Sequence, residues 1–405
     1  MRLVLPEDQY HYILSYLTVD SVFAMSETCR QLFQWRRLCK VVDTGDVVLE
    51  DYDLGLLLQR FPRVTELTLG HASRLTGASY KALAAVCPQM TSLRIRGARV
   101  IDDAPFCQLL STFNSARRLE LSGTFYVKSS AIASLASSAQ HLQRVCLGGF
   151  RQLKDADVQV LLDTLPLVEE LSVADCTTLT TLALKSPGLR DLNISKCIHI
   201  RDMVLDMPGL TSLDASWCTK LPDSAVEGLL VSCPKLDSLM LMGCSSLVGP
   251  NMESRNLKTL DLSLCENLTH CAVHGWQLVH LSVAMCMGLS SLHLDLPAVG
   301  ALDLSMLGLQ QLVLNCANLE NINLRGSHKL DSKNVQSHCP RLRVVDLCGT
   351  TVDADAFPRD SDPDTDEGDE DEARLSTMCR GGRAAAGERL RVIQGGTPLQ
   401  WHTSG

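Results

Sequence analysis

The sequence predicts an α/β solenoid, a horseshoe with a parallel sheet on its concave face, preceded by three short N-terminal helices. Three observations carry this expectation. One six-residue phrase is written six times, as LSVADC, LNISKC, LDASWC, LMLMGC, LDLSLC and LSVAMC, beginning at Leu171, Leu192, Leu213, Leu239, Leu260 and Leu281. A phrase that returns at a fixed period is one structural unit copied along an axis. The phase continues on both sides, so the first apolar residue of each unit, its anchor, also falls at Leu67, Leu93, Leu119, Val145, Leu302, Ile322 and Val345. Finally, the spacings form two classes, 26 residues and 20 to 23.

Each element follows from these spacings. An anchor and the apolar residue two places later share one face of a strand, the face turned to the core. Aromatic residues make up only 4% of the chain, so the core rests on Leu, Val, Ala and Cys. Each fully buried Leu then contributes about 1.5–3 kcal/mol. The 26-residue units have room for a return helix, at SYKALAAVCP (79–88), DADVQVLLDTLP (155–166) and DSAVEGLLVSCP (223–234). The shorter units have none, and LTTLALKSP (179–187) alternates as an extended segment does. Cys176, Cys197, Cys218, Cys244, Cys265 and Cys286 share one offset and are expected to stack as a buried ladder of small thiols. Cys87, Cys233 and Cys339 precede prolines and are expected to close return helices. The best metal-ligand set, Cys265, His270, Cys271 and His274, matches no zinc spacing, so neither a metal nor a cofactor is expected.

Ahead of the array, Leu5-Pro6 sets an extended entry and a helix start, with Glu7 and Asp8 in its first turn. Tyr10, Ile13, Leu14 and Leu17 fall at helical spacing. Asp20 can cap a second helix carrying Val22, Phe23, Met25 and Cys29, and Leu32, Phe33, Trp35 and Leu38 suggest a third. Three short helices with apolar residues on several faces need a partner surface or the array itself to cover them.

This segment resembles an F-box. Leu5-Pro6, Ile13-Leu14-Leu17 and Cys29-Arg30 match the family's Leu-Pro, Ile-Leu-x-x-Leu and Cys-basic positions, over about 35 residues. Gln9, Thr28 and Leu32-Phe33 depart from its usual apolar residue, Val and Trp. The array from about residue 60 to 352 resembles the cysteine-containing leucine-rich repeats found with F-boxes. Together these resemblances imply an F-box at 1–40, in which Leu5, Pro6, Ile13, Leu14, Leu17, Val22, Cys29 and Trp35 dock on a Skp-family adaptor that joins a cullin. They imply a solenoid of about 13 repeats at 41–352 that holds the protein to be ubiquitinated. The alternative of another class is a non-ligase scaffold or inhibitor, with the helices acting as a cap.

Composition narrows the remaining classes. The net charge is −9, but residues 353–372 hold 11 acidic residues and one Arg, so the rest is close to neutral and does not suggest a nucleic-acid-tracking protein. Residues 353–373 are expected to be a disordered acidic linker. Beyond it, in the 374–405 tail, RLRVIQGG (389–396) alternates as a terminal strand would. Met1-Arg2-Leu3-Val4-Leu5 is stopped by Pro6-Glu7-Asp8, so no secretory signal is expected, nor any membrane span. Seventeen cysteines without such a signal suggest reduced thiols in the cytoplasm or nucleus.

Partner contacts are expected on the positions one before, one after and three after each anchor. Early in the array these include Arg94, Arg96, Arg118, Glu120 and Arg144, a set suited to an acidic ligand. Later they include Asp214, Asp261, Asp303 and Asp346. Four places after the anchor stand Trp217, Leu264, Met285 and Met306, with Met240 and Met242 beside them, a composition suited to a protein-binding hot spot. No phosphate-binding Gly loop, Gly-x-Ser-x-Gly or His-Glu-x-x-His occurs, and no enzyme activity is expected.

Overall fold

The computed structural model describes residues 39–98, 103–123, 129–357 and 391–393. Residues 1–38 of the expected F-box, with Leu5, Pro6, Ile13, Leu14, Leu17, Val22, Cys29 and Trp35, lie outside them. The described residues pack as two units, those up to 200 with 205–210, and 201–204 with those from 211 on.

In the first unit, β1 (Val41–Asp43), β2 (Glu66–Leu69), β3 (Ser92–Arg96), β4 (Arg118–Ser122), β5 (Arg144–Gly148), β6 (Glu170–Ser172) and β8 (Asp191–Asn193) form one parallel sheet in that order. Its register joins anchor to anchor, from Val42 through Leu67, Leu93, Leu119, Val145 and Leu171 to Leu192. The sheet therefore starts one repeat before Leu67, in a Val-Val-Asp segment that lacks the leucine signal. Helices α1 (Asp51–Arg60), α2 (Gly77–Val86), α3 (Asp103–Leu110), α4 (Ser129–Ser138) and α5 (Asp155–Thr164) carry the chain back. Each turns one apolar face to the core, such as Val158, Leu161 and Leu162 in α5. The 21-residue repeats return instead through short strands, β7 (Thr181–Lys185) and β9 (Asp202–Asp206).

The change from helix to strand leaves an edge of β7 facing α5, where no strand can pair it. The Gln159 amide takes that place: its Oε1 accepts the Lys185 N–H at 2.9 Å and its Nε2 donates to the Lys185 carbonyl at 3.2 Å. Asp155 in the first turn of α5 accepts the Thr180 and Thr181 N–H groups at 2.9 and 3.2 Å. A polar side chain on the last helix thus blunts an exposed strand edge.

The second unit repeats the solution. After β10 (Ser212–Asp214), α6 (Asp223–Ser232) is followed by β11 (Ser238–Met240) and the return strand β12 (Asn251–Ser254). Asp223 accepts the Val248 and Gly249 N–H groups, each at 3.0 Å, and Glu227 accepts that of Asn251 at 2.9 Å. From there every return segment is extended. Strands β12, β14 (His270–Gly275), β16 (Ser291–Asp295), β18 (Gln311–Asn315) and β20 (Val335–His338) form a five-stranded parallel return sheet. On the anchor side, β10, β11, β13 (Thr259–Asp261) and β15 (His280–Ser282) pair in order. A separate sheet follows, of β17 (Ala301–Asp303), β19 (Asn321–Asn323), β21 (Val344–Asp346) and β22 (Arg391–Ile393). In β22, Arg391–Ile393 pairs in parallel with Val344–Asp346.

Three details differ from the sequence reading. Leu281 is only half-buried, unlike the other anchors, because its strand β15 ends one sheet and has a neighbour on one side only. Cys339 follows a strand, β20, rather than a helix, since the 23-residue spacing before Val345 is filled by a 3-10 turn at Ser332–Asn334 and an extended segment. In the stretch expected to be disordered, residues 353–357 are ordered: Ala354–Ala356 form a 3-10 turn and Phe357 is buried. Its remainder lies outside the described residues.

The repeated phrase has one local explanation. In most repeats the N–H groups two and four places after the anchor donate to the next repeat's carbonyls, as Leu262 does to Ser282 and Leu264 to Ala284, both at 2.8 Å. The N–H between them is not part of this ladder. Where the residue after the anchor is Asp or Asn, its Oδ1 accepts that N–H: Asn193 from Ser195 at 2.9 Å, Asp261 from Ser263 at 2.8 Å, and Asp346 from Cys348 at 3.0 Å. Asp346 is itself buried, so Asp346→Ala removes the acceptor from a site closed to water. Chemical denaturation should show a loss of about 1–3 kcal/mol for Asp346→Ala, while Asp346→Asn, which keeps the acceptor oxygen, retains most of the stability.

Candidate functional site

In the first unit the predicted Arg set comes together on β3, β4 and β5. Register places Arg94 beside Glu120, and Arg118 beside Arg144. They line a concavity of about 260 Å³ whose wall also holds Cys146, Glu170 and Asp191. The cations are largely answered from within. Arg94 and Arg96 straddle Glu120 at 3.3 and 2.7 Å, and Arg144 meets Glu170 at 2.7 Å. The hydrogen bond that Arg96 Nε donates to Glu120 holds the guanidinium still more firmly protonated. Arg118 has no carboxylate partner among the described residues. A site of alternating sign suits a polar protein surface better than a bare acidic ligand, which would have to displace these pairs. Glu170 was missed in the sequence, although it stands one before its anchor, 26 residues after Arg144.

In the second unit the acidic positions divide. Asp214 and Asp261 lie half-buried on the exposed face of the β10-β11-β13-β15 sheet, and Asp303 is exposed on β17. Each uses Oδ1 to hold a turn N–H, so the column is first a folding device. Asp346, expected on the open face, is buried beneath the turn it holds, next to β22.

The positions four after the anchor share a stronger property. From Leu93 onward every one of them has a left-handed backbone, with φ between 59° and 80°. Gly97, Gly123, Gly149, Gly243, Gly326 and Gly349 fill six of these places. Asp175, Lys196, Trp217, Leu264, Met285 and Met306 fill the others. For a residue with a Cβ this conformation costs about 1–2 kcal/mol. In the second unit the residues that carry this cost are large, apolar and open to solvent: Trp217 is 39% exposed, Met285 56% and Met306 64%. Leu264, Met240 and Met242 are half-buried beside them. The Trp217 indole lies over the Cα of Gly243, so the ridge is continuous from one repeat to the next.

One residue further on, the side chains turn inward. Cys176, Cys197, Cys244, Cys265 and Cys286 are fully buried, and each Sγ donates to the carbonyl two beyond the preceding repeat's anchor, at 3.0–3.3 Å. Cys218 is buried in the same position. Burial pushes the Cys176, Cys197 and Cys244 thiols up to about 12. These sulfurs are structural rather than nucleophilic.

The fold is that of the leucine-rich repeat in both units, with a parallel strand per repeat and leucines stacked in register. No family model matches the chain, and no curated protein matches it in sequence. Among solved structures it is similar to the crystal structure of the Rad7 and Elc1 complex in yeast, at 16% identity and a TM-score of 0.38, over 87% of this chain and 89% of that one. It is also similar to the APL1 leucine-rich repeat domain, at 15% identity and a TM-score of 0.43, over 85% and 84%. YopM from Yersinia enterocolitica WA-314 is similar at 15% identity and a TM-score of 0.41, over 80% of this chain and 63% of that one.

The thiol shifts give a measurable pH dependence. At pH 8 a thiol with a pKa near 12 is ionised about once in ten thousand, so iodoacetamide followed by mass spectrometry should leave Cys176, Cys197 and Cys244 unmodified until the protein is denatured. A folded pKa above the unfolded value stabilises the fold below the unfolded pKa. That contribution should be lost as pH rises from about 9 towards 12.

Proposed function

We propose that the chain is the substrate-recognition subunit of an SCF-type ubiquitin ligase. The observation that carries this reading is a conjunction in one chain: the Leu5-Pro6, Ile13-Leu14-Leu17 and Cys29-Arg30 pattern ahead of a leucine-rich-repeat array. In this reading residues 1–40 bind a Skp-family adaptor, through it a cullin, and the exposed faces of the repeats hold a protein substrate. The mechanism is positional. Tethering raises the effective concentration of substrate lysines near a charged ubiquitin-conjugating enzyme, and the chain supplies geometry rather than bond-making residues. Such a subunit works in the cytoplasm or nucleus.

A second reading has its own support. Gln9 and Leu32-Phe33, where an F-box usually carries an apolar residue and a Trp, favour a scaffold or inhibitor whose N-terminal helices cap the array. Capture separates the two. Full-length protein should co-purify a Skp-family adaptor, and Leu5→Ala with Pro6→Ala should lower that capture by about tenfold or more. Wild-type protein that takes up no adaptor, with turnover of its bound proteins unchanged, would sink the ligase reading.

A further inference from the structure

We propose that the ridge of Trp217, Met242, Leu264 and Met285, with Asp214 and Asp261 along its flank, is a docking surface for a basic amphipathic helix of a protein partner. This rests on the repeats being a protein-binding face and is independent of adaptor docking by residues 1–40.

Three observations converge on that occupant. The first is charge. Across β10, β11, β13 and β15, the positions one before and one, three and four after the anchors carry no Lys or Arg, but they do carry Asp214 and Asp261. In each carboxylate Oδ1 is held by the turn N–H of Ser216 or Ser263, at 2.9 and 2.8 Å. The second oxygen has no protein partner among the described residues. Two fixed half-satisfied carboxylates beside an apolar ridge call for cations on the ligand and repel an anionic surface.

The second is spacing. Trp217, Met242, Leu264 and Met285 stand in the turns that follow successive strands, which lie about 4.8 Å apart. One turn of an α-helix rises about 5.4 Å, so a helix laid across the strands offers one apolar residue per strand, at i, i+3 or i+4, i+7 and i+11. Asp214 and Asp261 are two strands apart, about 9.6 Å. Lysines seven residues apart on such a helix are separated by about 10.5 Å.

The third is backbone conformation. The sibling positions Gly243, Gly326 and Gly349 show what the turn itself favours. Trp217, Leu264 and Met285 occupy the same left-handed geometry with φ near 60°, and Trp217 and Met285 lie open to water. Backbone preference accounts for none of the three, and burial does not account for Met285, which is 56% exposed. Conformational cost at an exposed apolar residue points to recognition. Methionines add a surface that can repack around a ligand helix.

The test titrates the full chain into two labelled synthetic helices of about 18 residues, five turns, read by fluorescence anisotropy. Both carry Leu at the stated spacing; one has Lys on the flanks and the other Glu. The Lys helix should bind, quench Trp217 fluorescence and outcompete the Glu helix by about tenfold or more. The combined variant Trp217→Gly, Leu264→Gly, Met285→Gly should lose that binding with its melting temperature unchanged or raised, because glycine suits the backbone there. Asp214→Asn with Asp261→Asn, which keeps both turn acceptors, should weaken binding of the Lys helix and flatten its salt dependence. Equal binding of the two helices, binding of neither, or full binding by the glycine variant would overturn the proposal. A chain that binds the Lys helix yet captures no adaptor would leave this surface standing and remove only the ligase reading.

Discussion

Most strands must be left at the same point, because the amides two and four places beyond the anchor are both committed to the next repeat; β15, at the end of its sheet, is an exception. In the first unit Val173 donates to Asn193 and Asp175 to Ser195, each at 2.8 Å. Between two such bonds the chain can leave the sheet only by curling sharply, and the left-handed residue four places after the anchor provides the curl. The intervening amide then takes the Asx oxygen, and the next side chain is driven inward. There a small thiol fits and donates to the carbonyl of the preceding repeat. Leucine, Asx and cysteine in the repeated phrase are therefore three consequences of one hydrogen-bonding constraint. Where the cysteine is replaced, as at Ser327, the hydroxyl makes the same contact with the Leu304 carbonyl.

That constraint explains which features were legible in the sequence. Leucine and cysteine spacing is local and identical in every repeat, so register and burial could be read from it. The length of each repeat decided between helix and strand on the return path, since five or six missing residues remove the helix. What escaped were features set by neighbours rather than by the repeat. Val42 opens the sheet without a leucine because β1 needs only a partner in β2. Leu281 carries the consensus residue yet stays half-buried, since its exposure depends on where the sheet ends. The adapters Gln159 and Glu227 sit only where a helix is followed by a strand.

The charged candidates show the same division. Asp214, Asp261 and Asp303 looked like one acidic column, but each first satisfies a turn amide of its own repeat. Arg94, Arg96 and Arg144 looked like a cationic set, and their carboxylate partners lie on adjacent strands. Those pairs are substantially exposed, so each contributes about 0–1 kcal/mol to stability and can exchange for a partner's charges at little cost. The pairs fix the orientation of the guanidinium planes beside Arg118, which has no carboxylate partner among the described residues.

The left-handed position separates what the fold requires from what it merely permits. Six repeats place glycine there and six do not, on the same backbone geometry. In the first unit the exceptions are Asp175 and Lys196, polar residues at home in water; Asp also tolerates this conformation comparatively well. In the second they are Trp, Leu and two Met, none with backbone ease there; Leu264 is half-buried, while Met285 and Met306 stand more than half exposed. A selection for stability alone would favour glycine or a polar residue at each of them. The backbone cost at Trp217, Leu264, Met285 and Met306 is small for each residue and is already met in the free chain, so it does not grow when the proposed partner covers the ridge. Covering it removes apolar surface from water without any further rearrangement of the backbone.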